Sequence, residues 1–456
     1  MSTPARQNTQ SVLSDMERIF ALQQAQQWVT KRSTAAQRKE KLRRLKSAVE
    51  AHGEEIIAAV QKDTRKPEGE IRITELLGVM GNIERNINSL EEWMRPVEVA
   101  PSQNKNDKAR IVYEARGVCL ILGPWNFPLG LTMGPLAAAI AAGNCCMVKL
   151  TDLCPATAHV AATIIRDAFE ENEVALFEGG VDVATALLDL PFNHIFFTGS
   201  TRVGKLVMAA AAKHLATVTL ELGGKSPVIV DEDADVKKVG ADLAAAKQFN
   251  GGQACISPDY VFVKENQRAA LVKEFRAKVD ENLYRDDGSI KKESIAQIVN
   301  AQNFARVKKL FDDAAAKGAK IAVGGMLEEA DRTIHPTLLT DVTPDMLIMQ
   351  EEIFAPIVPV LTYDSLDEVI AYIASRPKPL ALYLYSHNQD TIDKVLSETS
   401  SGGVTINGFF SHYLESQLPF GGVNQSGMGS YHGVFGFRTF SHERAVYIQR
   451  GPGAGH

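Results

Sequence analysis

The chain has 456 residues, a formal net charge of −6, 45% hydrophobic and 23% charged residues, and five cysteines. This length and apolar share exclude a disordered or fibrous chain and fit about three domains or one large two-lobed enzyme. The acidic balance argues against nucleic acid as a partner. Cys119, Cys145, Cys146, Cys154 and Cys255 are odd in number and form no CxxC pair, which argues against a disulfide framework or a structural zinc and for a reducing, cytoplasmic setting.

The start, MSTPARQNTQSVLSD, is polar and lacks the apolar core of a secretory leader. Residues 11–94 read as helical. Leu22, Ala25, Trp28 and Val29 share one face, and Leu42, Leu45, Ala48 and Val49 recur at helical spacing. The basic run over residues 31–46 reads as a nucleic-acid or lipid patch or as a solvated helix face, and its interruption by Glu40 favours the solvated face. Near Pro96 the pattern changes to two strands joined by a polar turn, an excursion over residues 95–116.

Short apolar strands then alternate with helices: GVCLIL, CCMVKL, NHIFFTG and ATVTLEL. Continuous apolar strands of this kind imply a parallel sheet covered on both faces. A second α/β region, residues 223–405, has strands near VIVD, YVFVK, PIVPVLTY and ALYLYS. The tail is loop-rich, with a strand at RAVYIQR and no apolar anchor in QRGPGAGH. Residues 118–148, the most apolar stretch, are too broken by Gly, Pro and Asn to span a bilayer. A soluble protein without a membrane anchor is expected.

Four segments can carry chemistry. In HIFFTGSTRVGK a strand enters a turn containing Gly199 and Gly204 and then a helix, which presents free N–H groups to an anion. The spacing imitates a P-loop, but Leu206 stands where Ser or Thr must hold magnesium, so an NTPase is disfavoured; phosphate binding and an ordinary connection both remain open. Cys255 follows Gly251 and Gly252, which permit positive φ and a close approach to a ligand. It reads as a nucleophile or as an inert buried thiol. Glu221 ends a strand at the edge where open α/β sheets hold ligands. It reads as a general base with a raised pKa or as the ion-pair partner of Lys225. Asn126 lies between the prolines of PWNFP and either donates to an oxyanion or simply makes a turn.

Together and in this order, PWNFP, FTGSTRVGK, LELGGKSP, GGQAC, EEIFAP and LPFGGVNQSGMG resemble the aldehyde dehydrogenase superfamily over nearly the whole chain. ISPDYV, SGMGSYHGVFGFRTFSHERA and the compact length are most similar to its class 3 branch, which acts on aromatic and fatty aldehydes, often with either nicotinamide nucleotide and commonly as a homodimer. The resemblance implies a Rossmann-like nucleotide-binding domain (residues 1–94 and 117–220), an α/β catalytic domain (221–406) and a small β oligomerisation excursion bridged by 95–116 and 407–456.

The resemblance further implies roles for particular residues. Cys255 attacks the aldehyde, Asn126 and the Cys255 N–H hold the oxyanion, and Glu221 activates the water that hydrolyses the thioester. NAD or NADP is held by Trp125, Lys149, Asp152, Gly199, Ser200, Val203, Gly204, Leu222, Glu352 and Phe354, and no metal is implied. One departure matters: Asp152 stands where the family usually has Glu, leaving room for a 2′-phosphate and hence for NADP. Leu129, Leu131, Met133, Phe409, Phe410, His412 and Tyr413 read as substrate lining or as packing. The competing readings are a CoA-acylating dehydrogenase, which the base at Glu221 disfavours, and a non-redox cysteine acyltransferase or thioesterase, which leaves Lys149 and GSTRVG unexplained.

Overall fold

A computed structural model describes residues 4–450. The first three residues and the GPGAGH end, on which part of the leader and anchor expectations fall, lie outside them. Helices α1 (Pro4–Lys31), α2 (Ala35–Ala51), α3 (Gly53–Thr64), α4 (Glu68–Ile71) and α5 (Gly78–Trp93) come first. Thr34 and Gln37 close a capping box at the start of α2. A π-helical turn, Arg72–Leu77, joins α4 to α5.

The face of α1 carrying Leu22, Ala25, Trp28 and Val29 is turned to solvent, with Leu22, Trp28 and Val29 40%, 58% and 54% exposed. Met16, Ile19, Phe20 and Gln23 are buried instead. The Gln23 amide donates to the carbonyls of Cys146 and Glu171, both at 3.0 Å, so a polar residue anchors the helix where apolar spacing pointed elsewhere. Much of the basic run is spent on ion pairs: Lys39 with Glu91, Lys41 with Glu173, and Lys46 with Glu84.

Strands β1 (Val97–Val99) and β2 (Lys108–Ala115) pair antiparallel. Next come β3 (Val118–Leu122), α6 (Gly130–Ala142), β4 (Cys145–Lys149), α7 (Pro155–Ala168), β5 (Val174–Phe177), α8 (Val181–Leu188), β6 (His194–Thr198), α9 (Thr201–Ala212) and β7 (Thr217–Glu221). All five residues of β3, β4 and β6 are buried, because helices cover both faces of their sheet. Helices α2, α3, α5, α6 and α7 supply one face of that packing, and α1, α8 and α9 the other.

The second α/β region holds β8 (Pro227–Val230), α10 (Val236–Gln248), β9 (Tyr260–Val263), α11 (Glu265–Leu283), α12 (Ala301–Ala316) and β10 (Lys320–Val323). A short pair, β11 (Leu327–Glu328) and β12 (Thr333–Ile334), precedes β13 (Thr337–Thr340), β14 (Ile357–Thr362), α13 (Leu366–Ala374), β15 (Ala381–Tyr385), α14 (Gln389–Glu398) and β16 (Gly403–Ile406). The chain closes with α15 (Ser411–Leu414), β17 (Gly427–Met428), α16 (Gly433–Thr439) and β18 (Ser441–Ile448). Along β8, Val228 and Val230 pack with α10 and α11 while Ile229 packs with α12 and α13, as the strand's two-residue period requires.

The first sheet has the order β17-β7-β6-β3-β4-β5, parallel except for β17. The second has the order β10-β13-β14-β9-β8-β15-β16, parallel except for β10. The excursion strands join the last strand in the order β1-β2-β18. Among the described residues no helix is long and apolar enough to cross a membrane, and no group of three or more His, Cys, Asp or Glu is set to hold a metal ion.

Candidate active site

The crevice forms where β7 ends in Glu221 and the loop between α10 and β9 presents Cys255. Three successive left-handed residues, Asn250 (φ 48°), Gly251 (φ 58°) and Gly252 (φ 69°), turn that loop. A Cβ on Gly252 would lie 2.4 Å from the Ala355 carbonyl oxygen. Gly252 thus approaches the backbone of EEIFAP, and Gly251 that of Ala296, whose carbonyl oxygen a Cβ would meet at 3.0 Å. Glycine is needed here both for φ and for space.

Asn126 is buried and clamped from both ends. Its Nδ2 donates to the Gln253 carbonyl at 3.1 Å, and its own carbonyl accepts from Lys66 Nζ and from Asn250 Nδ2, each at 2.9 Å. This ties PWNFP to GGQAC, two residues before Cys255.

Burial pushes the half-buried Cys255 thiol up to about 12, helped by the charges of Glu352 and Glu221. Glu221 is 2% exposed, and neither of its carboxylate oxygens has a hydrogen-bond partner. Burial alone holds its pKa well above the usual carboxylate range. Lys225 is not its partner: that ammonium pairs with Asp259 and donates to the Ile348 and Glu351 carbonyls at 2.7 and 2.9 Å. Glu352 is pushed up to about 7 by burial, against a hydrogen bond from the Gly224 N–H. Its carboxylate lies over Gly223, where a Cβ would sit 2.5 Å from Oε1.

Along the first sheet, Lys149 ends β4 and donates to the Leu150 carbonyl at 3.0 Å, with burial lowering its pKa. Asp152 is exposed beyond it. Ser200 caps α9 by accepting from the Val203 N–H. Gly199 and Gly204 leave room for the Phe197 ring and the Leu222 side chain, which a Cβ would meet at 2.4 and 2.7 Å. Trp125 stands edge-on to Phe354, with centroids 5.4 Å apart, and Phe354 holds a strained φ of 51°. The Thr198 hydroxyl at the end of β6 is buried without a partner. A helix N-terminus, a lysine, an exposed acid and an orphaned hydroxyl on one sheet edge fit a dinucleotide.

The aldehyde dehydrogenase family profile matches residues 6–446. The chain belongs to the aldehyde dehydrogenase family. AldX of Bacillus subtilis is 53% identical, over 96% of this chain and 99% of that one. Aldehyde dehydrogenase family 3 member A2 of Pongo abelii is 42% identical, over 90% of this chain and 84% of that one. The substrate-bound structure of Staphylococcus aureus AldH superposes with a TM-score of 0.91 at 38% identity, covering 97% of this chain and 95% of that one. The chain is thus an oxidoreductase acting on aldehydes, with relatives in the class 3 branch.

Around the crevice of this aldehyde dehydrogenase, Phe127 stacks on Phe249 (5.6 Å, 27°), Phe249 meets Phe410 at 5.8 Å, and Tyr383 meets Phe409 at 4.8 Å. Leu129, Leu131 and Met133 are buried, as the packing reading expects. His412 is buried, bonds Thr405 through Nδ1 at 2.7 Å, and is lowered by burial to about 4, so it packs as a neutral ring. Cys119, Cys145, Cys146 and Cys154 are buried, and burial raises every one of their thiols.

Sequence reasoning missed Lys66, Glu75, Asn250, Gln253 and the Lys225–Asp259 pair. Gln253 lies inside GGQAC and Asn250 immediately before it. Lys66 lies in the loop between α3 and α4 and Glu75 in the π-helical turn, and neither carries a local signal.

Proposed function

We propose that this enzyme oxidises aromatic or medium- to long-chain aldehydes to carboxylic acids with Cys255 as nucleophile, Asn126 as oxyanion donor and Glu221 as general base. The observation that carries the reading is the buried Glu221 carboxylate, unpartnered on both oxygens beside the thiol. An ordinary structural carboxylate at that depth has a donor. A thiol at about 12 is inert at neutral pH, so it needs a base within reach, and Glu221 takes its proton. The sulfur adds to the carbonyl carbon, and the oxygen's charge falls on the Asn126 Nδ2–H and the Cys255 N–H. NAD or NADP, when bound, supplies the acceptor for the hydride lost from that carbon. Glu221, having passed the thiol's proton to solvent, then takes a proton from water. The water oxygen attacks the thioester carbon, the C–S bond breaks, and the acid leaves with the Cys255 thiolate restored.

The nucleotide side is assigned to Trp125, Lys149, Asp152, Gly199, Ser200, Val203, Gly204, Leu222, Glu352 and Phe354. Asp152, exposed and one methylene shorter than glutamate, supports use of both NAD and NADP. The ring cluster of Phe127, Phe249, Phe409 and Phe410 supports an apolar aldehyde. A homodimer through β1, β2 and β18 is supported by Val97, Val99, Tyr447 and Ile448, each more than two-fifths exposed there. A thiol nucleophile also supports a reducing, cytoplasmic compartment.

The test is Cys255→Ser, assayed with a panel of aliphatic, aromatic and terpenoid aldehydes and both nucleotides. Turnover is abolished while nucleotide binding by fluorescence titration persists. Full activity in that variant would sink the assignment.

A further inference from the structure

Lys66 and Glu75 are both 0% exposed and form an ion pair, Nζ to Oε1 at 2.9 Å. Burying two charges demands that nearly every donor and acceptor be used. Lys66 Nζ also donates to the Asn126 carbonyl at 2.9 Å and lies 4.1 Å from the Phe127 ring centroid. The other oxygen of Glu75, Oε2, accepts from the Leu129 and Gly130 N–H groups at 3.0 and 2.7 Å, at the entrance to α6. A Cβ on Gly130 would lie 2.9 Å from the Thr74 carbonyl oxygen, so the π-helical turn and α6 meet without a gap. The pair thus spans residues 126–130 from one end to the other.

We propose that the Lys66–Glu75 pair positions the Asn126 amide as the oxyanion donor, an inference that rests on the reading of Asn126 given above. The geometry explains how. Lys66 and Asn250 hold the Asn126 carbonyl, and one Nδ2 hydrogen is committed to the Gln253 carbonyl. An amide is planar, so fixing its backbone and one hydrogen fixes the direction of the other hydrogen. That remaining hydrogen is the one left for the substrate oxygen. Without Lys66 the carbonyl keeps one anchor, and the amide is free to turn with its loop. Lys66 and Glu75 are positioning residues and touch no reacting atom.

The experiment is a double-mutant cycle on the full-length protein. Lys66→Met alone strands a buried carboxylate, so the test variant is the pair Lys66→Met/Glu75→Gln, in which no charge is left. The probe is the pre-steady-state acylation of Cys255 by p-nitrophenyl acetate, which forms an oxyanion without any nucleotide. Alkylation of Cys255 by iodoacetamide, which forms none, is the control. Asn126→Ala lowers acylation by about 10²–10³-fold, the usual cost of losing one oxyanion donor. The paired variant lowers it about tenfold or more while alkylation stays at the wild-type rate. Added to Asn126→Ala, it lowers acylation no further. Additive losses, or equal losses in acylation and alkylation, overturn the positioning role. Should the paired variant not fold, Lys66→Arg carries the same cycle, since a guanidinium fork cannot occupy the ammonium's place. A normal acylation rate in Asn126→Ala alone would instead remove the oxyanion reading itself, so the two failures are told apart.

Discussion

Glu75 and Glu221 are two carboxylates of nearly equal depth, 0% and 2% exposed, with opposite surroundings. Glu75 receives an ammonium and two backbone N–H groups, so its charge is spent on holding structure. Glu221 receives nothing, and burial raises its pKa. Satisfied charge makes a rigid floor, whereas unsatisfied charge makes a group that changes state when a ligand arrives. Lys225 is likewise engaged with Asp259 and two carbonyls, whereas Glu352 has the Gly224 N–H and is still pushed up to about 7 by burial.

The largest effect that tests this contrast is on catalysis. Glu221→Gln slows thioester hydrolysis by about 10²–10⁴-fold, the usual contribution of a positioned base. Acyl-enzyme then accumulates, visible by intact-mass measurement after quenching. A wild-type steady-state rate would mean that another group activates water. The pH dependence follows from the raised pKa of Glu221. The base works only when deprotonated, so the hydrolytic rate climbs as pH rises through that raised value. A flat profile in Glu221→Gln, measured over the same range, is the expected counterpart.

Stability should separate the two carboxylates next. Glu75→Gln leaves Lys66 without its counter-charge and costs about 3–5 kcal/mol. Glu221→Gln acts in the other direction. The folded state holds the Glu221 proton more tightly than the unfolded chain does, so wild-type stability falls as pH rises from the ordinary carboxylate range through the raised pKa. The amide removes that fall, making the variant the more stable protein at higher pH and its equal at low pH. Denaturant midpoints at several pH values read both effects, and a loss for Glu221→Gln like that of Glu75→Gln would erase the distinction. The smallest effect is on nucleotide choice. Asp152→Glu lowers kcat/KM with NADP relative to NAD by about tenfold, through crowding at an exposed site. An unchanged ratio would disconnect Asp152 from the 2′ position.

Much of the candidate site was legible because its residues sit in glycine- and proline-marked motifs. PWNFP, LELGGKSP and GGQAC each announce a backbone constraint, and the continuous apolar runs of β3, β4 and β6 announce a covered sheet. Helical spacing was a poorer guide on α1, where Leu22, Trp28 and Val29 face solvent and a glutamine does the anchoring. Apolar character was likewise ambiguous at Leu129, Leu131 and Met133, which are buried in the structure. Lys66 and Glu75 were invisible for a different reason: a lysine in a short loop and a glutamate nine positions on look like surface until something covers them.

The sequence by itself determined the parallel-sheet architecture and the residues offered for thiol, amide and base chemistry, through periodicity, allowed φ values and the reactivity of side chains. The family came from the resemblance of its motifs taken in order. Only the tertiary structure decided that Glu221 has no partner, that Lys225 belongs to Asp259, and that Lys66 reaches across sixty positions to the carbonyl of Asn126. Burial and charge pairing are properties of what packs against a residue, and the chain carries no local record of them.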